Sequence, residues 1–233
     1  MGRRTQATVA AGIRVVVRLN HKRVGGDEMK VLNLYAGIGG NRTLWKDVEV
    51  TAVEYDSRIA SVYQERFKND EVIVDDCIHY VENTDLSGFD FIWASPPCQT
   101  HSMFNMVRGV NVPDMTNLYG MITFLSYGYK GLWVVENVRP WYTPLIPPSV
   151  KLGRHYFWGN FLIPEVDFPQ YQDETIDNLS IKQLRVLHGI PESLLPGNHI
   201  GIRQILRNCV DKEIGLYILN CARRKATQKQ TQL

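Results

Sequence analysis

A cysteine that follows two prolines is the most reactive candidate in this 233-residue sequence. In Ser95-Pro96-Pro97-Cys98 the prolines fix the backbone after a short apolar run, so the thiol is predicted to face a cleft. A thiolate at that place could act as a covalent nucleophile. A small buried loop cysteine is the alternative. The polar segment 103–117 has the length and composition of a mobile lid.

A second candidate is the carboxyl group of Glu136, which follows the apolar run 132–135 and precedes Asn137. A carboxyl at a buried strand end costs free energy, so its presence there indicates a use. In a dry pocket it keeps its proton and can donate a hydrogen bond to a ring nitrogen. A capping or salt-bridged glutamate is the alternative.

The third candidate is a glycine-rich turn, Tyr35-Ala36-Gly37-Ile38-Gly39-Gly40, directly after the apolar run 31–34. Such a turn lets backbone N–H groups approach a ligand closely. Glu54 lies 20 residues after Leu34, at a distance typical of an acid that binds ribose hydroxyls. The pattern is neither GxGxxG nor a P-loop, so a nicotinamide dinucleotide and a P-loop nucleotide site are disfavoured. A tight turn without a ligand is the alternative.

The elements that must position these residues alternate between strands and helices. Strands are predicted at 30–34, 48–54, 71–74, 89–93 and 132–135, and helices at 57–69 and 116–129. This alternation predicts a parallel sheet covered by helices, with a ligand at the carboxyl ends of the strands. Beyond residue 138 we predict a hairpin of 155–159 with 160–163, a helix over 180–188 that Ser180 caps, and a last helix over 208–222.

Composition limits the class of protein. A hydrophobic fraction of 44% and a charged fraction of 21% are typical of a soluble globule with one full-sized domain. The sequence has no apolar run of membrane-spanning length and no secretory leader pattern. Its four cysteines form no CxxC pair and its histidines lack ligand spacing, so no metal is expected. These features favour a reducing cytoplasm.

Charge is distributed unevenly along the chain. Residues 1–28 contain six Arg and Lys against two acids, which predicts a basic, disordered arm; an organelle transit peptide is the alternative. The remaining residues are close to neutral, so composition alone does not indicate a nucleic-acid-binding protein. Residues 223–233 are predicted to form a basic tail.

Taken in order, these clusters resemble the motifs of the cytosine-C5 DNA methyltransferase family over about residues 29–222. The turn 35–40 is similar to the family's first motif, and Pro97-Cys98-Gln99 and Glu136-Asn137-Val138 are similar to its catalytic motifs. The other similar positions are Glu54 and Asp76 for the second and third motifs, Gly153-Arg154-His155-Tyr156 for a reduced Gln-x-Arg-x-Arg motif, and residues 180–192 and Asn208-Cys209-Val210 for the last two.

The resemblance implies an α/β, Rossmann-like class I fold of S-adenosylmethionine-dependent methyltransferases. Such a fold has a mostly parallel seven-stranded sheet with helices on both faces, here a catalytic domain over 29–222. The implied reaction is methyl transfer from S-adenosylmethionine to C5 of a cytosine that is flipped out of double-stranded DNA. S-adenosylhomocysteine is the implied product.

The resemblance also implies residue roles. Cys98 would attack C6 of the base, Glu136 would hold N3 and the exocyclic amine, and Arg154 would polarise O2. Gln99, Ser102 and Asn137 would lie near the DNA or the base. The implied cofactor positions are Tyr35, Gly37, Ile38, Gly39, Gly40, Glu54, Tyr55, Asp76, Cys77, Pro96, Leu118, Asn208 and Val210.

Two features depart from the family. Leu152 stands where the second arginine of the Gln-x-Arg-x-Arg motif is expected. Residues 160–180, which are short and acidic, replace a full target-recognition domain. We therefore expect a very short target site, low specificity, or help from a recognition subunit or a second copy. So compact a chain is similar to methyltransferases of phages and mobile elements, which suggests restriction–modification in a bacterial or host cytoplasm.

Three other functions remain open on the sequence. The same residues would serve an RNA cytosine-C5 methyltransferase, which acts on tRNA in one branch of the family. An amino-methylating enzyme is less consistent with the sequence, because Cys98 replaces the aromatic residue of its SPPY motif. A non-catalytic homologue that only binds S-adenosylmethionine or a partner would explain the missing recognition domain.

Overall fold

A seven-stranded sheet forms the centre of the computed structural model, which describes residues 28–97, 115–168, 176, 178–195 and 200–231. Several features predicted from the sequence lie outside the described residues. They are Cys98, Gln99 and Ser102, nearly all of the predicted lid, and residues 1–27 of the predicted arm. The strands are β1 (Met29–Leu34), β2 (Val48–Glu54), β3 (Glu71–Val74), β4 (Phe91–Ala94), β5 (Leu132–Val138), β6 (Val150–Leu152) and β7 (His155–Gly159).

The order of the strands across the sheet is β3-β2-β1-β4-β5-β7-β6. Strands β1 to β5 are mutually parallel, and β7 is antiparallel to both β5 and β6. The direction of winding reverses between β1 and β4, which opens a crevice at their carboxyl ends. The mostly parallel seven-stranded sheet and the Rossmann-like methyltransferase fold are confirmed.

Six α-helices flank the sheet in the described residues. They are α1 (Ser57–Arg66), α2 (Cys77–Glu82), α3 (Met115–Gly128), α4 (Ile181–His188), α5 (Ile200–Arg207) and α6 (Lys212–Thr231). Two short 3-10 turns, Asn41–Leu44 and Leu86–Gly88, complete the connections. No helix in this part of the chain is long and apolar enough to cross a membrane.

The two faces of the sheet bury separate hydrophobic cores. Alternate residues of β5 divide between them, with Trp133 and Val135 on one face and Val134 on the other. Helices α2 and α3 cover the first face. Helices α4, α5 and α6 cover the second face, where their buried residues include Leu184, Leu206 and Ile218. Helices on both faces of the sheet are therefore confirmed.

The predicted hairpin of 155–159 with 160–163 is wrong. Strand β7 pairs instead with β6, across the turn at Gly153 and Arg154. The Asn160 side chain accepts a hydrogen bond from Trp133 N at 3.0 Å and donates one to the Gly131 oxygen at 2.8 Å. These bonds end the strand and turn the chain away from the sheet.

Residues 161–168 replace the predicted strand with an extended segment on the second core. Phe161 and Ile163 are buried, whereas Leu162 is exposed. Tyr217 of α6 donates a hydrogen bond from its hydroxyl to the Pro164 oxygen at 2.9 Å. Within its described part, the short stretch that was predicted to stand in place of a recognition domain packs against the core.

Candidate functional site

The glycine-rich turn between β1 and the 3-10 turn Asn41–Leu44 is compact because its neighbours leave no room for side chains. Gly39 has φ +75°, and a Cβ there would lie 2.8 Å from Tyr63 Cε2. A Cβ on Gly40 would overlap the Val210 carbonyl oxygen and Cys209 Sγ. The turn therefore lies directly against the segment that leads into α6, and two predicted cofactor positions, Gly40 and Val210, are in contact.

Glu54, at the end of β2, holds the turn from the other side. Its Oε2 accepts a hydrogen bond from Gly37 N at 2.9 Å, and its Oε1 accepts one from Asp56 N at 3.0 Å. The carboxylate is half-buried, so it sits at the mouth of the crevice rather than inside the core. The sheet register places Glu54 beside Val74, the last residue of β3.

Asp76 and Cys77 follow β3 at the same edge of the sheet. Asp76 Oδ1 caps α2 by accepting hydrogen bonds from Ile78 N at 2.9 Å and His79 N at 3.0 Å. Cys77 is buried, and its Sγ accepts a hydrogen bond from Tyr35 N at 3.1 Å. Burial raises the pKa of the Cys77 thiol above its usual range. The Cys77 side chain therefore joins β1 to α2 from within the core.

The remaining predicted cofactor positions differ in exposure. Tyr35 has φ +55°, a strained value for a residue with a side chain, at the point where β1 enters the turn. Tyr55 is 76% exposed, whereas Leu118 of α3 is buried in the first core. Asn208 directly follows α5, and its N–H donates to the Gln204 oxygen at 2.9 Å.

Asn137 fixes the backbone that leads to Cys98. Its Nδ2 donates a hydrogen bond to the Pro96 oxygen at 2.9 Å, and the side chain is 1% exposed. Its Oδ1 has no hydrogen-bond partner in the described structure. Asn137 therefore ties β5 to the segment after β4, and it carries a buried acceptor at the same place.

Glu136 is a buried carboxyl on the second core, where α4 to α6 pack. Strand β5 extends beyond its predicted end at residue 135, because Glu136 and Asn137 pair with Phe157 and Tyr156 of β7. The Ser95 hydroxyl accepts a hydrogen bond from Trp93 Nε1 at 2.8 Å, so its proton can be donated to the Glu136 carboxylate.

Burial raises the pKa of Glu136 to about 7, although the hydrogen bond from Ser95 and the charge of Arg154 act in the opposite direction. Glu136 is thus protonated in about half of the molecules at neutral pH, whereas an ordinary glutamate would be almost fully ionised.

Arg154 and His155 reach the same place from the β6–β7 turn. Both are buried, and His155 Nε2 lies 3.6 Å from Glu136 Oε1. Burial and the charges of Arg154 and His188 hold the pKa of His155 well below its usual range, so the ring is neutral. Leu152, at the position of the missing arginine, is completely buried in the second core. No second arginine is therefore supplied there.

Sequence reasoning missed Ser95, His188 and Asp211 as members of this pocket. His188 ends α4 in the core, and burial lowers its pKa to about 4. Asp211 is 2% exposed, and burial raises its pKa to about 8. A signal for Asp211 existed, because it directly follows the Asn208-Cys209-Val210 motif. No group of three or more His, Cys, Asp or Glu side chains is arranged to hold a metal among the described residues.

Residues 29–140 match the family model of C-5 cytosine-specific DNA methylases. The chain is 30% identical over 114 residues to the type II methyltransferase M.FnuDI of Fusobacterium nucleatum. This match covers 48% of the chain and 33% of M.FnuDI, so the chain spans about a third of that relative's length. The resemblance to the cytosine-C5 DNA methylase family stated above is therefore confirmed over residues 29–140.

Solved structures of methyltransferases also resemble the chain, but weakly. The Entamoeba histolytica methyltransferase EhMeth is 18% identical with a TM-score of 0.36, over 48% of this chain and 39% of that chain. A putative DNA modification methyltransferase encoded within an Escherichia coli prophage is 21% identical with a TM-score of 0.32, over 48% and 32%. The fold assignment rests on the strand order and not on these scores.

Proposed function

We propose that this protein transfers a methyl group from S-adenosylmethionine to C5 of cytosine in double-stranded DNA. The observation that carries the proposal is the pocket at the carboxyl end of β5. There a buried, protonatable Glu136 lies in the field of Arg154, and the neighbouring Asn137 holds the backbone that leads to Cys98. The match of residues 29–140 to the cytosine-C5 methylase family supports the same activity.

The residues at the crevice fit a nucleoside cofactor. Gly39 and Gly40 make a turn that is too closely packed for side chains, and Glu54 and Asp76 stand at the ends of adjacent strands. Among the described residues, Oδ2 of Asp76 accepts no hydrogen bond. It can therefore accept one from the base of the nucleoside cofactor. When bound, S-adenosylmethionine supplies an electrophilic methyl group on a sulfonium sulfur, which the activated C5 accepts.

The chain's own residues activate the base. The Cys98 thiolate adds to C6, a bond forms between Sγ and C6, and the displaced ring electrons move towards N3 and C5. Glu136 donates its proton or a hydrogen bond to N3, and Arg154 stabilises the developing charge on O2. After C5 is methylated, N3 returns its proton to Glu136, and loss of the C5 proton to water re-forms the C5–C6 double bond and expels the Cys98 thiolate.

Target recognition is expected to be limited, because a short stretch stands where the family has a recognition domain. The stretch 160–180 contains Glu165, Asp167, Asp173, Glu174 and Asp177 and would repel the phosphate backbone. We propose that the protein reads a very short site, or that a recognition subunit or a second copy completes the DNA-binding surface. We also propose a place in restriction–modification, which the similarity to the type II methyltransferase M.FnuDI supports.

A trapping experiment tests the nucleophile and the substrate together. Purified protein is incubated with S-adenosylmethionine and either duplex DNA or tRNA, each containing 5-fluorocytosine, which has no C5 proton to lose. We expect a covalent adduct with duplex DNA that withstands denaturation and is absent in the Cys98→Ala variant. The matched control is Cys221→Ala, a buried cysteine of α6 that should leave the adduct intact.

The other outcomes contradict the proposal in different ways. An adduct with tRNA alone would make the protein an RNA methyltransferase. Cofactor binding without an adduct on either nucleic acid would favour a non-catalytic homologue. An adduct that persists in the Cys98→Ala variant would assign the nucleophile to another residue.

A further inference from the structure

Arg66, the last residue of α1, is a half-buried cation that contacts the glycine-rich turn. Its Nη1 donates a hydrogen bond to the Ile38 oxygen. Its Nη2 donates to Thr43 Oγ1 at 2.9 Å and to the His188 oxygen at 3.5 Å. One guanidinium therefore joins α1 to the glycine-rich turn, to the 3-10 turn Asn41–Leu44 and to the carboxyl end of α4.

No carboxylate balances the charge of Arg66 within the part of the chain that the structure describes. Its guanidinium lies 4.9 Å from the centre of the Phe67 ring, and the His188 oxygen belongs to the last residue of α4. A ring face and the carboxyl end of a helix both attract a cation. Burial lowers the pKa of Arg66, but an arginine stays charged at neutral pH. The donors of Arg66 thus serve backbone and hydroxyl oxygens, not an ion pair.

A hydroxyl group extends the contact of Arg66 further along the turn. Thr43 Oγ1, which accepts a hydrogen bond from Arg66, donates one to the Gly39 oxygen at 3.0 Å. Arg66 thus fixes two consecutive carbonyl groups, that of Ile38 directly and that of Gly39 through Thr43. Gly39 has φ +75° and no side chain, so its own backbone restricts these two peptide units only weakly.

The fixed carbonyl of Gly39 determines the direction of the next N–H group. In a planar trans peptide unit the C=O and N–H bonds point in opposite directions. Because the Gly39 oxygen is directed towards Thr43, the Gly40 N–H is directed away from it. This N–H donates no hydrogen bond to any described residue, whereas the Gly39 N–H donates to the Ala36 oxygen at 3.0 Å. The Gly40 N–H is therefore available to an acceptor on a ligand.

We propose that Arg66 is a positioning residue of the cofactor site. Together with Thr43 it holds the peptide unit between Gly39 and Gly40 in the orientation that lets the Gly40 N–H bind an acceptor atom of S-adenosylmethionine. This inference rests on the proposed function, because it assigns the glycine-rich turn to the same cofactor. Arg66 acts through the turn and need not touch the cofactor.

Two substitutions of Thr43 test the role of the hydroxyl without changing the charge of Arg66. Thr43→Ser keeps the hydroxyl, whereas Thr43→Val keeps the volume and loses the hydroxyl. We expect the dissociation constant of S-adenosylmethionine, measured by calorimetry without DNA, to rise about 5-fold in Thr43→Val and to stay near the wild-type value in Thr43→Ser. With duplex DNA as substrate, the KM for the cofactor should rise similarly in Thr43→Val, with kcat unchanged at saturating cofactor.

Arg66→Lys keeps the charge but loses the forked donors, so it separates geometry from charge. We expect the dissociation constant to rise about 10-fold or more. The matched control is Arg42→Lys, because Arg42 lies in the neighbouring 3-10 turn and pairs with Asp70 at 2.8 Å. This variant should lose stability without losing affinity for the cofactor. A purely structural role of Arg66 would give the same pattern in both variants.

Hydrogen exchange gives a readout that needs no cofactor. In protein labelled with ¹⁵N-glycine, the Gly39 N–H reports on the turn because it is bonded to the Ala36 oxygen. In the free protein this amide should exchange about 10-fold faster in Arg66→Lys and at the wild-type rate in Thr43→Ser.

Equal dissociation constants for the wild type, Thr43→Val and Arg66→Lys would overturn the assignment, even in a protein that methylates DNA. Equal losses in Thr43→Ser and Thr43→Val would overturn it as well, because the hydroxyl would then have no effect. If Arg66→Lys does not fold, the two Thr43 variants decide the question. Weaker cofactor binding in Thr43→Val alone, in a protein that methylates no substrate, would retain the role of Arg66 and reject the proposed function. A wild type that does not bind S-adenosylmethionine would reject both.

Discussion

At the scale of the residue, the chemistry depends on a carboxyl group that is kept out of water. Glu136 is 5% exposed and lies 3.6 Å from a neutral His155. Its pKa is raised to about 7 because burial outweighs the hydrogen bond from Ser95 and the charge of Arg154. A glutamate on the surface would be ionised at neutral pH and could only accept hydrogen bonds.

Glu136→Gln tests this role directly. Glutamine keeps the volume and can still donate a weak hydrogen bond to N3, but it cannot transfer a proton. We expect kcat to fall about 100-fold or more, which is typical for loss of a general acid. The dissociation constant of S-adenosylmethionine, measured by calorimetry, should change little, because Glu136 is not among the predicted cofactor positions. An unchanged kcat would contradict the role of Glu136.

The same carboxyl predicts a pH dependence of stability. Because the folded-state pKa of Glu136 is raised from 4.5 to about 7, the folded state binds its proton more tightly than the unfolded state. Its contribution to stability is full below pH 4.5 and declines as the pH rises towards 7. The free energy of unfolding of the wild type should therefore fall relative to Glu136→Gln over this window, by about 1–3 kcal/mol.

Urea unfolding of both proteins at several pH values measures this difference. The buried His155 and His188 titrate in both proteins, so their contributions largely cancel in the comparison. A difference that is constant between pH 4.5 and 7 would show that Glu136 is ionised in the folded protein.

At the scale of the element, the turn after β1 and the start of α6 form one unit. A side chain on Gly40 would overlap the Val210 oxygen and Cys209 Sγ, so the Gly40→Ala substitution must push the two segments apart. We expect a loss of about 1–3 kcal/mol in the free energy of unfolding and a weaker affinity for S-adenosylmethionine.

Gly120→Ala is the matched control for this prediction. Gly120 lies in α3, and a Cβ there would meet nothing within 4 Å. Alanine should stabilise the helix by about 0.5–1 kcal/mol without changing cofactor affinity. Equal stability and affinity in the Gly40→Ala and Gly120→Ala variants would contradict the close packing of the turn on α6.

The parallel half of the sheet was predictable from the sequence because each strand is an apolar run that ends at a turn or an acid. Strand β2 and the Ser180 cap of α4 are found where they were predicted. Helices α2 and α5 were missed, since each is short: Cys77–Glu82 spans six residues and Ile200–Arg207 eight. The last helix begins at Lys212, later than predicted, and continues to Thr231 because its last residues are mostly good helix formers.

Residues of the candidate site could be predicted from the sequence only where they stand in a recognisable motif. Glu136 and Arg154 stand in short patterns, and the structure places both in one buried pocket. Asp211 lies 57 residues from Arg154 in the sequence, and only the packing of α6 on the sheet brings their charges together. The hairpin of 155–159 with 160–163 was wrongly predicted because tertiary contacts also decide this part of the fold. The side chain of Asn160 and the burial of Phe161 turn the chain away from the sheet.

At the scale of the whole molecule, one concentration of basic charge lies before the first strand and another lies in residues 223–233. Residues 1–28 contain six Arg and Lys against two acids. Deleting them should leave the melting temperature nearly unchanged, since the sheet begins at Met29. The affinity for duplex DNA should fall, and the slope of log K against log salt should become shallower as phosphate contacts are lost. An unchanged slope would show that the arm does not contact DNA.

The central claim is that the protein methylates C5 of cytosine in DNA through Cys98. The most direct measurement is base-resolution mapping of 5-methylcytosine in plasmid DNA from cells that express the wild type or the Cys98→Ala variant. We predict 5-methylcytosine only with the wild type, at a very short sequence context. The absence of 5-methylcytosine from both plasmids, with both proteins folded and expressed, would contradict stand-alone DNA methylation and leave tRNA or a missing recognition partner as the explanation.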